Sequence, residues 1–478
     1  MPLDGLYGTI DRVETGFMMW LFDLEKRGNV MPFWKNSHVT PAQVILLGFL
    51  LLIGTGTMLL MLPIASNGPG GASFLDALFT TVSATCVTGL VVHDTAVYWS
   101  FFGQAVILLL IQIGGMGVIT VAIAISMLSG RRIGLKQRWI MQESIAAPQV
   151  GGIVRMTSFI IKTSLLIEGI GAVLLAFRFI PQMGFKGIWA SIFHSVSAFC
   201  NAGFDLMGTE DAQFASLTAY ASDPLINVVI PFLLIMGGIG FLTWSDIREH
   251  GIHLRAYRLQ SKLILMTTTL LLLLPAVYFF FYEFNLPQWE GMTLWEKVQA
   301  SWFQSATPRT AGFNTVNLAD LSEPSKLITL LLMLIGGSPG STAGGFKTTT
   351  LVVLLLAARA VFRRKEDMQS FGRRIPPDIL RNAAAIFFLY LLLFLTGGVL
   401  ICCMDGVPLL DALFETASAI GTVGLTTGIT PTLSVPSRLI LIFLMYFGRV
   451  GGLTMVFALM PGRNPAPRQL PQEKIPVG

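Results

Sequence analysis

The sequence predicts an all-α integral membrane fold: four tandem helix–pore loop–helix units in pseudo-fourfold arrangement around one central pore. That arrangement amounts to eight transmembrane helices and four re-entrant pore helices. Three observations carry the prediction. The 478 residues are 53% hydrophobic and only 12% charged, against about 25% charged in a soluble domain, so charge is too scarce to cover a water-facing surface. Runs such as Val44–Pro63 and Leu263–Phe281 reach the ~20 apolar residues that cross a bilayer as a helix. Four short stretches ending in Gly-Leu or Gly-Phe recur, with Gly89, Gly203, Gly312 and Gly424 spaced 114, 109 and 112 residues apart.

Met1–Thr40 carries scattered charges of both signs and no early apolar core before a small-residue cleavage site, so it does not read as a signal peptide. Residues 1–41 are expected to be a cytosolic arm. Its Gly16–Leu24 stretch reads equally as a short interfacial helix or as plain chain. Pore units are expected over residues 42–128, 153–245, 261–360 and 381–460, followed by a cytosolic tail over 461–478.

Each unit has one order: an apolar helix, a shorter amphipathic segment, the glycine stretch, and a second apolar helix. The four sets are Val44–Pro63, Phe74–Ala84, Cys86–Leu90 and Phe101–Leu128; Ile153–Phe179, Ile188–Phe199, Cys200–Phe204 and Leu225–Trp244; Leu263–Phe284, Trp295–Ala306, Arg309–Phe313 and Leu327–Ala360; and Asn382–Cys403, Leu409–Ile420, Gly421–Leu425 and Leu439–Met460. Asp76-Ala77-Leu78-Phe79 repeats as Asp411-Ala412-Leu413-Phe414, with Ser-Ala four residues after each Phe. In the third unit Ser305 stands seven residues before the glycine, where the other units have serine six before. The second helices carry matched glycines at 114–117, 237–240, 336–337 and 448–452, which let helices approach closely. The short middle segments cannot span a bilayer, and their length suits re-entrant segments.

Basic residues orient the chain. The connections between units (129–152, 246–262 and 357–381) hold 4, 4 and 7 Lys/Arg, whereas those inside the units hold 0, 1, 3 and 0, leaving the boundary residues Arg178 and Arg438 uncounted. The positive-inside rule puts the inter-unit loops and both termini in the cytoplasm, as in a multi-pass protein of the cytoplasmic (inner) membrane. The glycine stretches then lie toward the outside. Asp94, Asp205, Asp223, Asp320 and Glu323 share that side, where they read individually as solvated loop charges and jointly as a field favouring cations. Basic residues confined to short connections argue against nucleic acid as a partner; membrane lipid is the expected surrounding.

Non-helical backbone is tolerated at membrane depth only where protein buries it or it lines a watery path. Four such segments about one axis can present rings of carbonyl oxygens that replace a cation's hydration shell. Glycine suits them because inward-turned carbonyls demand conformations that a Cβ resists, and the short helices can aim their negative C-terminal ends at the axis. An intramembrane enzyme would need clustered His, Cys or carboxylates. The five histidines do not cluster and no metal-ligand spacing is present, so no catalytic residue is expected; the four cysteines read as packing residues. Inverted-repeat secondary transporters fit poorly, since all four units run in the same order.

On these residues the chain resembles the Trk/Ktr/HKT superfamily of potassium transporters, most closely the bacterial Ktr membrane (pore-forming) subunit. The carrying stretches are Cys86–Leu90, Arg309–Thr315, Gly336–Thr348 and Gly421–Gly428, within a resemblance covering roughly residues 40 to 460. It implies potassium held at filter residues Cys86, Val87, Thr88, Gly89, Cys200, Asn201, Ala202, Gly203, Arg309, Thr310, Ala311, Gly312, Gly421, Thr422, Val423 and Gly424. Members with serine at the first filter position tend to favour sodium; glycine at all four implies potassium selectivity. It also implies a homodimer with one pore per protomer and a cytosolic nucleotide-binding regulatory ring, so that nucleotide acts only through that partner. A channel or secondary transporter for sodium or ammonium is the alternative. Passive flux and sodium- or proton-coupled symport are equally compatible with the sequence.

The second helix of the third unit is interrupted. A Pro and five glycines within Gly336–Gly345 will not hold a stable α-helix. The stretch lacks the adjacent Gly-Lys of a nucleotide-binding loop. It reads as a flexible intramembrane loop over 336–346, and its family counterpart controls ion passage. The expected gate residues are Gly336, Gly337, Ser338, Gly340, Ser341, Thr342, Gly344, Gly345, Lys347 and Arg449. Arg449 sits mid-run in the last helix, where an arginine costs at least ~2.5–3.5 kcal/mol. It should therefore face the bundle interior, pair with loop carbonyls, or meter cations beside the gating loop. Lys162 and Glu168 interrupt another apolar helix on different faces, as snorkelling or structural charges or as a proton or ion relay.

Overall fold

The computed structural model describes residues 40–68, 70–128, 133–145, 151–459, 471 and 473. The Gly16–Leu24 segment lies outside them, as does nearly all of the tail. The described chain is almost wholly helical. Each unit opens with a long helix: α1 (Pro41–Leu60), α6 (Ile153–Met183), α10 (Leu259–Phe281) and α14 (Pro377–Asp405). Thr40 caps α1, accepting from the Gln43 N–H while Gln43 reaches back to the Thr40 N–H, so chain entry is fixed by a capping box. The short helices follow as α2 (Phe74–Thr85), α7 (Phe185–Phe199), α11 (Leu294–Ala306) and α15 (Leu409–Gly421). One phenylalanine on each (Phe79, Phe193, Phe303 and Phe414) is fully buried.

The second helices depart from expectation. Those read as single helices in units 1, 2 and 4 are each two. They are α3 (Phe101–Met116) with α4 (Val118–Leu128), α8 (Pro224–Gly238) with α9 (Phe241–His250), and α16 (Val435–Val450) with α17 (Gly452–Leu459). The pairs bend by 94°, 97° and 96°. Gly117, Gly240 and Gly451 sit at the breaks with φ of 87°, 89° and 93°, a left-handed conformation that no side chain adopts cheaply. The third unit breaks at the same place with a longer insert, leaving α12 (Glu323–Leu334) and α13 (Thr348–Phe362). Among the described residues four helices are long and apolar enough to cross a membrane, or seven spans if each bent pair counts as one.

Two elements in the inter-unit connections were not anticipated. Helix α5 (Leu135–Ile145) buries Ile140, Met141 and Ile145 in the main core. An antiparallel hairpin of β1 (Met368–Ser370) and β2 (Arg373–Ile375) presents Arg374 to Asp367 at 2.7 Å. Leu, Ile, Val and Phe stay exposed along the outer faces of the long helices, as expected of surfaces that meet lipid.

Candidate functional site

The glycine stretches begin where the short helices end. In units 1, 2 and 4 the termination is the same: the N–H before the glycine bonds back five residues, Thr88 to Ser83, Ala202 to Ser197 and Val423 to Ser418, each at 2.8 Å. The N–H one residue earlier bonds back three, Val87 to Ala84, Asn201 to Ala198 and Thr422 to Ala419. This is the Schellman pairing, which needs a left-handed residue at its turn. Val87, Asn201 and Thr422 fill that place with φ of 58°, 60° and 51°. For the β-branched Val87 and Thr422 this is a strained conformation, of the kind that persists only where surroundings over-determine it.

The third loop is built one residue shorter. Thr310 takes the left-handed position (φ 66°), but Ala311 N–H bonds back only four residues, to Thr307 O at 3.0 Å. Counted from the buried phenylalanine, the hydroxyl lies four residues on in every unit: Ser83, Ser197, Thr307 and Ser418. The equivalent of the other serines is therefore Thr307, and Ser305 merely bonds back to Trp302 O. The four hydroxyls hold the loops in two ways. Ser83 and Ser418 accept from the Gly89 and Gly424 N–H groups at 3.1 and 3.0 Å. Ser197 donates to Phe204 O at 2.7 Å, and Thr307 donates to Phe313 O.

The four glycines close a ring. All have positive φ: 93° at Gly89, 69° at Gly203, 80° at Gly312 and 93° at Gly424. A Cβ on Gly203 would stand 2.8 Å from Ala311 O, and one on Gly312 would stand 2.6 Å from Val423 O. One on Gly89 would strike Ala202 O, and one on Gly424 would strike Thr88 O. Each glycine thus abuts the carbonyl just before the next unit's glycine, in the order 1, 2, 3, 4 and back to 1. Of the other stretch residues, Cys86 and Cys200 are buried end caps of α2 and α7, and Gly421 ends α15. Arg309 sends its guanidinium to Thr268 on α10 at 3.3 Å, so its side chain serves the wall.

Ile335 to Lys347 lies against this ring and the helix breaks of units 2 and 4. Ile335 and Phe346 pair as a parallel bridge, and Gly336 N–H donates to Phe346 O at 2.8 Å. Toward unit 2, Ser338 and Thr342 donate their N–H groups to Gly238 O and Gly237 O, while Gly340 O accepts from Phe241 N–H at 2.7 Å. Toward unit 4, Gly345 N–H donates to Gly448 O at 3.1 Å, and a Cβ on Gly344 would strike Thr422. Lys347 closes the segment on itself, its amine donating to Ala343 O at 2.8 Å and Gly344 O at 3.3 Å. Ser338 and Thr348 hydroxyls stand 3.2 Å apart, and Ser341 donates to Ser338 O. Gly337 O accepts from the Thr348 N–H at 3.1 Å, starting α13.

Arg449, in the last turn of α16, donates to Thr342 O, Gly114 O and Gly115 O. No acidic side chain pairs with it among the described residues. It faces the bundle interior and bridges the interrupted segment to the break in unit 1.

Several contributors escaped the sequence reading. Buried Glu415 on α15 accepts from Thr426 and from Thr430 (2.7 Å), and buried His194 on α7 accepts from Leu206 N–H at 3.3 Å. Both pin the chain just past a ring glycine, and neither has a sequence signal beyond being polar on an apolar helix. Asp94 and Asp223 are buried helix caps rather than solvated charges. Asp94 also accepts from Phe214 N–H at 2.6 Å, and Asp223 pairs with Arg178. Asp246, Glu249 and His250 on α9 do bring ligand atoms within 4.8 Å of one another, contrary to the expectation of no such grouping. There Asp246 already accepts from the Arg258 N–H at 3.1 Å, and the group lies apart from the ring.

The sequence matches the TrkH cation transport protein family over residues 39–464. The chain belongs to this family. It is 42% identical to the Ktr system potassium uptake protein B of Bacillus subtilis (strain 168), over 89% of this chain and 94% of that one. The potassium/sodium uptake protein NtpJ of Enterococcus hirae is 39% identical over 93% and 98% of the two chains. The potassium transporter TrkH from Vibrio parahaemolyticus has the same fold, with a TM-score of 0.69 at 22% identity, covering 89% of this chain and 86% of that one. As a TrkH-family chain it is a multi-pass membrane protein, and the resemblance read from its glycine stretches holds.

Proposed function

We propose that the chain takes up potassium across the cytoplasmic membrane through a filter made by the four glycine loops. The observation carrying this reading is the closed ring, in which each glycine packs on the carbonyl preceding the next. Thr88, Ala202, Ala311 and Val423 carbonyls, with those flanking them, are the groups that replace potassium's hydration shell. Cys86, Val87, Asn201, Thr310, Gly421 and Thr422 shape them. The 336–346 segment, with Lys347 and Arg449, is the gate beneath. Three carbonyls neutralise the arginine's hydrogen-bonding demand while its charge remains on the cation path.

In the same reading the two halves of each second helix form one span, giving eight spans and four re-entrant helices with both termini cytoplasmic. A homodimer and a cytosolic nucleotide-binding ring complete the assembly, and the basic connections carrying α5 and the β1–β2 hairpin are where such a ring would dock. The close relative named as a potassium/sodium uptake protein keeps sodium in view as a second transported ion or as a coupling ion.

The test is rubidium or potassium uptake in potassium-starved cells, comparing wild type with Gly89→Ser. At φ 93° and against Ala202 O, a serine there must displace the ring. The mutant should lose its preference for potassium over sodium; intact discrimination in a membrane-inserted mutant overturns the filter assignment.

A further inference from the structure

One buried carboxylate has no part in that reading. Glu168 interrupts the apolar α6, is only 5% exposed, and has no cation beside it on its own helix, since Lys162 faces outward. Both of its oxygens lie 3.0 Å from Gln112 Nε2 on α3. Cys200 Sγ completes the cluster, 3.9 Å from Glu168 Oε1 and 3.7 Å from Gln112 Oε1. The Glu168 backbone is held as well, its carbonyl accepting from the Ser195 hydroxyl at 2.6 Å. A carboxylate removed from water and not balanced by a cation is expensive, and an apolar residue of similar volume would fill the space without that cost.

The cluster's position gives it a consequence. Cys200 caps α7 and immediately precedes Asn201, the left-handed residue of the second loop, and Ala202, whose carbonyl meets Gly89. Gln112 stands two residues before Gly114-Gly115, the carbonyls that receive Arg449. Gly115 has room for no side chain, because a Cβ there would come 2.7 Å from Cys200 Sγ. Glu168 therefore braces, through Gln112 and Cys200, the place where the second loop leans on unit 1. In a low-dielectric interior a hydrogen bond to a carboxylate is strong and directional. Small shifts of filter carbonyls change the field that separates potassium from sodium.

We propose that Glu168 is a positioning residue that determines cation specificity by fixing the second loop against the first. This rests on the filter reading above. Full-length variants are compared in potassium-starved cells by rubidium uptake against sodium competition, with membrane abundance measured in parallel. Glu168→Leu, at wild-type abundance, should lower potassium-over-sodium discrimination about tenfold, the scale of one lost buried hydrogen bond. The exchanged pair Glu168→Gln with Gln112→Glu restores a carboxylate–amide contact and should recover discrimination to within about threefold of wild type. Unchanged discrimination in Glu168→Leu, or an exchanged pair no better than Glu168→Leu, overturns the proposal. Should Glu168→Leu fail to reach the membrane, Glu168→Gln is read instead, and unchanged discrimination there overturns it equally. A wild type that does not prefer potassium overturns the filter reading itself, a result distinct from any of these.

Discussion

The Thr342 hydroxyl donates to Asn201 Oδ1 at 2.8 Å, with Phe199 O a further 3.1 Å neighbour. One side chain in the interrupted segment thus holds the left-handed residue of the second glycine loop, while the Thr342 backbone carbonyl accepts from Arg449. Ring and interrupted segment meet at this threonine. Thr342→Val keeps the shape and removes the donor, leaving Asn201 Oδ1 unpaired. Uptake at saturating potassium should rise about three- to tenfold with little change in KM, the range set by one buried hydrogen bond. Initial rubidium uptake rates measure it, and an unaltered rate refutes the link.

Arg449 separates two effects that its position combines. Arg449→Ala should raise flux and leave potassium-over-sodium discrimination intact, because the four ring glycines proposed as the filter do not touch it. Arg449→Lys keeps the charge, but a single ammonium cannot span Thr342 O, Gly114 O and Gly115 O as the planar fork does. If the charge meters ions, the lysine variant stays slow; if bracing closes the gate, it becomes nearly as fast as alanine. Uptake rates normalised to membrane abundance decide, and wild-type flux in Arg449→Ala would remove the residue from gating.

The helix breaks differ in what surrounds them. Alanine at Gly117 meets nothing closer than 3.6 Å, so its cost is the left-handed backbone alone, about 1–2 kcal/mol. Alanine at Gly240 carries the same backbone cost and also comes 2.7 Å from Pro339 O. Gly240→Ala should therefore lower the Tm in detergent more than Gly117→Ala. It alone should alter uptake kinetics, because Pro339 belongs to the segment proposed as the gate. Equal losses at the two sites would contradict this.

Asp205 follows the second loop, on the side that the proposed topology makes external. Burial pushes its carboxyl up to about 7; the Met207 N–H bond opposes this and nearby Asp94 adds to it. A raised carboxyl pKa means the group is neutral below pH 7 and gains its charge above. The outer mouth is therefore more negative at pH 8 than at pH 6, and KM for potassium should rise about two- to threefold as external pH falls across that interval. Asp205→Asn should flatten the profile. A wild-type KM independent of pH would exclude the group from the entry path.

The membrane character, the four units and the position of the interruption at 336–345 are written in composition and repetition, which survive without knowledge of contacts. The bends at Gly117, Gly240 and Gly451 were hidden because the glycines around them read as close-packing residues inside apolar runs that look continuous. The run at 336–345 could be read because a proline and several glycines accumulate there. The offset of the third loop was visible as a misplaced Ser305, but it took the Thr307–Phe313 contact to show that a residue is missing between hydroxyl and glycine.

By itself the sequence determined that four equivalent loops exist and that Gly89, Gly203, Gly312 and Gly424 are their fixed points, since a repeat period needs no third dimension. Only the tertiary structure decided what the loops do to one another: the cyclic contact of each glycine with the next carbonyl, the left-handed Val87, Asn201, Thr310 and Thr422, and the bonds of Arg449 and Glu168. Those relations join residues from 27 to more than 300 positions apart. They depend on close backbone approach and on which polar groups are left in want of a partner once helices pack, and neither quantity is carried by local residue pattern.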